Sequence, residues 1–66
     1  MKLIINGQPA TVTEALRLHE LLALKGLNPE RLAVELNGDI VPKSRYPDVV
    51  LQDQDTLELL SFVGGG

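Results

Sequence analysis

Two Asn-Gly pairs constrain the fold of this chain more than any other feature of its sequence. Asn6-Gly7 follows the apolar run "KLII", and Asn37-Gly38 follows the alternating run "LAVEL". Asn and Gly are the residues that most readily take the positive φ angles of a tight hairpin turn. The sequence therefore predicts two β-hairpins. Pro9 has no N–H for strand pairing, so it belongs at the start of the returning strand "QPATVTE" or on a sheet edge.

The segment "LHELLALKG" between the hairpins has the period of a helix. Leu18, Leu21 and Leu22 are spaced i, i+3 and i+4, which places them on one helix face. Gly26 is typical of the residue that follows a helix C-terminus, and the Asn-Pro pair after it prevents continuation. We expect one helix over roughly residues 17–26.

The remaining segments complete a small two-layer domain. "KSRYPDVVLQDQD" is predicted as a polar connecting loop with a one-turn helix, and "TLELLSFV" as the last strand. The order β-β-α-β-β-β predicts an α+β domain, with one main helix packed across a mixed sheet of four to five strands. The first and last strands are expected to be parallel neighbours at the centre, because the chain crosses over between them. We assign residues 1–63 to this domain and residues 64–66 to a flexible glycine tail.

The alternation of side chains along a strand divides the sheet into two faces. The side chains expected to face the helix are Leu3, Ile5, Leu57 and Leu59. Those expected on the opposite face are Ile4, Glu58, Leu60 and Phe62. Because an uncovered sheet face is usually polar, Leu60 and Phe62, with Ile4 at their margin, predict a docking patch for a partner protein. The alternative is that they are scattered surface residues without a role.

Composition argues against several classes of function. The net charge is −3 and the six basic residues are scattered, whereas nucleic-acid binding needs a basic face. The chain has no cysteine and one histidine, so it offers neither a disulfide nor a Cys-rich or His-rich metal site. No apolar run has the length of a membrane span, and the first residues lack the apolar core of a signal peptide. We therefore expect a cytoplasmic protein that binds neither membranes nor nucleic acid.

No group of residues predicts a catalytic or metal site. His19 lies on the predicted exposed side of the helix, and Ser44 and Ser61 are distant from it in sequence. Asp53 and Asp55 flank a turn, but they lack the glycine and glutamate of a calcium loop, and Asp commonly shapes turns by binding the backbone. We predict neither catalytic residues nor a bound cofactor.

The last three residues, 64–66, are all glycine. Without Cβ atoms they can extend, turn through positive φ and enter a channel too narrow for a side chain. The carboxylate of Gly66 then stands at the tip of a flexible tether, ionised at neutral pH and able to attack an activated phosphate. A frayed end or an engineered scar has the same appearance, so the residues alone leave a functional tail and an inert tail both open.

The whole chain resembles one family of ubiquitin-like proteins. The motifs are "VELNGDIVPKSRY" in the middle, "LQDQDTLEL" before the last strand and "FVGGG" at the end. With a length of 66 residues, they are similar to the ThiS family, sulfur carriers of thiamin biosynthesis that have the β-grasp fold. The helix start departs from the family pattern, because Arg17 stands where a capping residue is common. That departure concerns helix capping and leaves the implied function unchanged.

The resemblance implies a carrier protein on which partner enzymes act. A ThiF-type adenylyltransferase would use ATP to convert the Gly66 carboxylate into an acyl-adenylate, and sulfur delivered through a cysteine desulfurase would displace AMP. The resulting thiocarboxylate would donate sulfur to a ThiG-type thiazole synthase. The implied site residues are Gly66 for adenylation, Gly64 and Gly65 for threading, and Leu60, Phe62 and Ile4 for docking.

Several alternatives stay open on the sequence. A MoaD-like small subunit of molybdopterin synthase shares the fold, the diglycine and the thiocarboxylate chemistry, although it is usually longer. Carriers for tRNA thiolation or cysteine synthesis belong to the same class. Two alternatives of other classes are a protein modifier joined to lysines through Gly66 and an interaction module with an inert tail.

Overall fold

The structure, a computed structural model, describes residues 1–13 and 15–61. The strands are β1 (Lys2–Ile5), β2 (Gln8–Thr11), β3 (Leu32–Leu36), β4 (Asp39–Val41) and β5 (Thr56–Ser61), and helix α1 spans Leu18–Leu24. The strands form one sheet in the order β2-β1-β5-β3-β4. β1 and β5 are parallel, and the other neighbours are antiparallel. The predicted α+β class, with parallel first and last strands, is confirmed.

Both predicted hairpin turns are present. Asn6 and Gly7 have φ angles of 51° and 79°, and Asn37 and Gly38 have φ angles of 51° and 90°. β2 is an edge strand that contains Pro9, as expected. It ends at Thr11, earlier than the β-branched run predicts, although hydrogen bonds between Val12 and Met1 continue the pairing by one residue.

Helix α1 is shorter than predicted and is held by contacts at both ends. The Arg17 backbone N–H donates to the Glu20 carboxylate at 2.8 Å, which is the reciprocal half of a capping box, and the Glu20 N–H donates to the Arg17 carbonyl at 3.0 Å. At the other end, Gly26 has a φ of 69°, and the Leu27 N–H donates to the Leu22 carbonyl at 2.9 Å. This is the left-handed termination that the glycine predicts.

The core lies between α1 and one face of the sheet. Its buried apolar side chains are Leu3, Ile5, Leu16, Leu18, Leu21, Leu22, Leu32, Val34, Tyr46, Leu51, Leu57 and Leu59. The four sheet residues expected to face the helix are all among them.

The connection between β4 and β5 is the part of the fold that the sequence predicts incorrectly. Its one-turn helix is present as a 3-10 turn over Lys43–Arg45. The connection is nevertheless not a polar loop, because Tyr46 and Leu51 are only 3% and 2% exposed. The Leu51 N–H also donates to the Leu16 carbonyl at 2.9 Å, which ties the connection to the segment before the helix. Isolated apolar residues without a period carry no signal of burial in the sequence.

Candidate functional site

Strand β5 is the element that leads to the predicted tail, and it occupies the middle of the sheet. It pairs with β1 on one side and with β3 on the other, where Ser61 lies opposite Leu32. Phe62 and residues 64–66 lie outside the described residues, so their predicted roles stay predictions. The fold therefore presents the base of the tail from its central strand.

The outer face of the sheet carries the two described members of the predicted docking patch. Ile4 is 41% exposed and Leu60 is 47% exposed. The register places Ile4 beside Thr56 and Leu60 beside Ala33. Thr56 and Leu60 are four residues apart, so Ile4 and Leu60 are separated by about 13 Å along the strand direction. They share a face without being neighbours.

An acidic pair lies between the apolar positions of this face. Glu58 on β5 is directly opposite Glu35 on β3. Glu35 in turn lies opposite Ile40 on β4, and the Ile40 side chain is 66% exposed. The sequence predicts no surface role for Ile40 or Glu35, although the pairing in the second hairpin places both on the outer face. The face therefore combines exposed apolar side chains with two adjacent carboxylates.

Asn6 holds β5 where β1 stops. Its Oδ1 accepts a hydrogen bond from the Leu59 N–H at 2.7 Å, and its Nδ2 donates to the Leu59 carbonyl at 3.3 Å. A side-chain amide has the same donor and acceptor as a peptide group, so Asn6 replaces the missing strand neighbour. The Asn-Gly signal predicts the turn but carries no information about this second role.

Asn37, in the other hairpin turn, anchors the start of β5. Its Oδ1 accepts from the Thr56 N–H at 2.9 Å, and its Nδ2 donates to Asp55 Oδ1 at 2.9 Å. Asp55 is 9% exposed, and its other oxygen accepts from the Gln52 N–H at 2.7 Å. The buried carboxylate is therefore fully engaged in shaping the turn before β5.

Asp53 has the same kind of role on the surface. Its Oδ1 accepts from the Lys2 backbone N–H at 2.6 Å, and its Oδ2 accepts from the Gln54 side chain at 3.2 Å. The hydrogen bond from the Lys2 backbone, followed by that from Gln54, lowers the pKa of Asp53 below its usual value of 3.8. The interpretation of Asp53 and Asp55 as turn residues is confirmed.

Neither pockets nor membrane-spanning helices are found in the described part of the chain. Within residues 1–13 and 15–61 there is no cavity that could enclose a substrate. His19 is exposed on α1, as predicted. No helix in the same ranges has the length and apolar character needed to cross a membrane. The features that stand out are therefore the outer face and the strand that leads to the glycines.

Comparison with known proteins identifies the family. The model of the ThiS family matches residues 3–66. A thiazole synthase from Paramagnetospirillum magneticum is 42% identical over 66 residues, which are 100% of this chain and 20% of that protein. The chain thus spans about a fifth of the length of the thiazole synthases that it matches. The sulfur carrier protein ThiS of Bacillus subtilis is 43% identical over 49 residues, 74% of either chain.

A solved structure agrees with the sequence matches. The crystal structure of a thiamine biosynthesis protein (ThiS) from Geobacter metallireducens has 42% sequence identity and a TM-score of 0.83, with all of both chains covered. This match confirms the β-grasp architecture that the resemblance implied. Because the family match extends over almost the whole sequence and the fold agrees, the chain belongs to the ThiS family.

Proposed function

We propose that this chain is a sulfur carrier of thiamin biosynthesis and that the Gly66 carboxyl group carries the sulfur. The observation that supports this most directly is the ThiS family match, which runs through residue 66 and so includes the three glycines. The described fold is consistent with it, since a rigid central strand supports the base of the tail. The chain contributes the reacting group, and partner enzymes perform the chemistry.

The proposed reaction has two steps on the carboxyl group. In the first, a Gly66 carboxylate oxygen attacks the α-phosphorus of ATP on a ThiF-type adenylyltransferase, and pyrophosphate leaves. In the second, a cysteine desulfurase takes up sulfur from cysteine as a persulfide, a thiol reductant releases that sulfur as sulfide, and the sulfide attacks the acyl carbon as AMP leaves. The product is a thiocarboxylate. The chain itself holds no cofactor in this scheme, because the partner adenylyltransferase binds the ATP, and we propose that the carrier acts in the cytoplasm.

A thiazole synthase is the proposed acceptor of the sulfur. Two thiazole synthases contain, within one polypeptide, a segment similar to the whole of this chain. A carrier segment joined to its acceptor has a high effective concentration at the acceptor site, so the presence of both in one polypeptide supports a thiazole synthase as the partner of this chain. This observation favours the thiazole pathway over molybdopterin synthesis.

The remaining residues have proposed supporting roles. Gly64 and Gly65 enter the narrow pockets of the partner enzymes because they have no side chains. Leu60 and Phe62 form the docking patch on the outer face, with Ile4 at its margin. Exposed apolar side chains beside the tail are suited to bury surface against a partner.

The test is the intact mass of the protein after incubation with ATP, sulfide and a ThiF-type adenylyltransferase. We expect a gain that matches the replacement of one oxygen by sulfur, and no gain in a variant that lacks Gly66. Addition of a thiazole synthase should then discharge the sulfur, whereas the large subunit of molybdopterin synthase should not. An unchanged mass, with the enzyme active on a control carrier, would contradict the proposal. Adducts on lysine would instead indicate a protein modifier.

A further inference from the structure

One edge of β5 has a regular series of hydrogen bonds to the first hairpin. The Ile4 N–H donates to the Asp55 carbonyl just before the strand, and the Asn6 N–H donates to the Leu57 carbonyl, both at 2.9 Å. The Asn6 side chain binds both main-chain groups of Leu59. The odd-numbered residues from 55 to 59 therefore direct their main-chain groups toward β1.

The even-numbered residues of β5 face the opposite strand. The Thr56 carbonyl accepts from the Asn37 N–H at 2.8 Å, on the β3 side. Because successive residues of a strand direct their main-chain groups to alternate edges, the next odd residue, Ser61, faces the β1 side. β1, however, ends at Ile5. Among the described residues, none forms a hydrogen bond with Ser61 on that side.

This edge is open at the point where the chain continues toward its glycines. The hairpin turn at the end of β1 contains Gly7, and apart from Gly7 and its two chain neighbours no described heavy atom lies within 4 Å of the position that a Cβ of Gly7 would take. A strand edge with unpaired N–H and C=O groups is a template for a further strand. The main-chain groups of Ser61 on this edge therefore have no partner among the described residues.

We propose that the thiazole synthase that binds the tail supplies an extended segment, and that this segment pairs with β5 through the main chain of Ser61. This inference rests on the proposed function. Glycines offer a partner no side chains, so an enzyme that recognises the tail has to bind its peptide groups. The fold thus sets the residue of β5 at which the partner's segment begins to pair.

Two substitutions of Ser61 test the pairing against a thiazole synthase. Ser61→Pro removes the edge-facing N–H, whereas Ser61→Ala keeps it and removes only the side chain. Proline is tolerated where a strand N–H is not used by a neighbour, so both variants should keep the melting temperature of the parent protein. We expect Ser61→Ala to bind the synthase like the parent and Ser61→Pro to bind about tenfold more weakly. Equal binding by both variants would overturn the pairing.

Amide hydrogen exchange supplies a readout that needs no substitution. The Ser61 N–H should exchange rapidly in the free protein and become protected in the complex with the synthase. If the complex forms and transfers sulfur while the Ser61 amide stays unprotected, the strand pairing is wrong and the carrier function stands. If the parent protein neither binds the synthase nor gains sulfur, both proposals fail. If Ser61→Pro does not fold, amide exchange in the parent protein still tests the strand pairing.

Discussion

Asn6 and Leu59 are joined by two hydrogen bonds although they are 53 residues apart in the chain. The side-chain amide of a turn residue thereby extends the pairing of the central strand beyond the end of its neighbour. The last described pairing with β1 is Ile5 with Leu57, so this contact is what supports β5 one step closer to the tail.

Asn6→Gly should destabilise the domain by about 1–3 kcal/mol, because both main-chain groups of Leu59 lose their partner. Glycine keeps the positive φ of the turn, so the change removes the hydrogen bonds without straining the backbone. Chemical denaturation measures the free energy of unfolding. Asn6→Ala is the matched comparison and should be less stable than Asn6→Gly, because alanine is also strained at a φ of 51°. A fully stable Asn6→Gly would contradict the role of the amide.

Neutralising the acidic pair on the outer face should stabilise the protein. Like charges directly opposite each other on antiparallel strands are unfavourable, so Glu58→Gln should raise the free energy of unfolding by about 0.2–1 kcal/mol. The gain should shrink in high salt, which screens exposed charges. In a double-mutant cycle, Glu58→Gln should have little effect once Glu35→Gln is present. Additive effects would show that the two carboxylates do not interact.

Two leucines that differ in exposure test whether the connection between β4 and β5 is part of the core. Leu51→Ala should lower the free energy of unfolding by about 2–5 kcal/mol, because it leaves a cavity in the core. Leu24→Ala removes the same atoms from a side chain that is 72% exposed and should change stability little. Urea denaturation of both variants measures the difference. Similar losses would mean that the connection before β5 is not packed as described.

Asp53 should make stability depend on pH in the acid range. Its pKa is lower in the folded protein than its usual value of 3.8, so its contribution is present above that value and is lost as the pH falls through the folded pKa. Asp53→Asn should therefore flatten the decline of the melting temperature below about pH 4. A decline as steep in Asp53→Asn as in the parent protein would contradict this role of Asp53.

A bulky side chain at residue 65 should prevent adenylation of the tail without affecting the fold. Gly65→Phe should leave the melting temperature unchanged, because the described core lies within residues 3–59. It should abolish formation of the acyl-adenylate, since a side chain blocks a channel shaped for glycine. The mass assay with ATP and the adenylyltransferase measures the product. Adenylation of this variant at the normal rate would contradict the threading mechanism.

Much of the fold follows from local features of the sequence. The Asn-Gly pairs specify turns because both residues tolerate positive φ, and the leucine spacing specifies the buried face of α1. Alternation along β1 and β5 correctly separates the core residues Leu3 and Leu57 from the exposed Ile4 and Leu60. The family resemblance then identifies the sulfur-carrier class from motifs that cover the chain.

The sequence by itself determined the turns, the helix, the two faces of β5 and the family, because each depends on residues that are close together or on motifs read directly. Only the tertiary structure decided which distant residues meet. The binding of Asn6 to Leu59, the opposition of Glu35 and Glu58 and the burial of Leu51 all depend on strand register and on packing between segments far apart in the chain. Many residues of the same type could in principle occupy each of these partner positions, and no local pattern in the sequence distinguishes among them. The partner is therefore set by the folded structure as a whole.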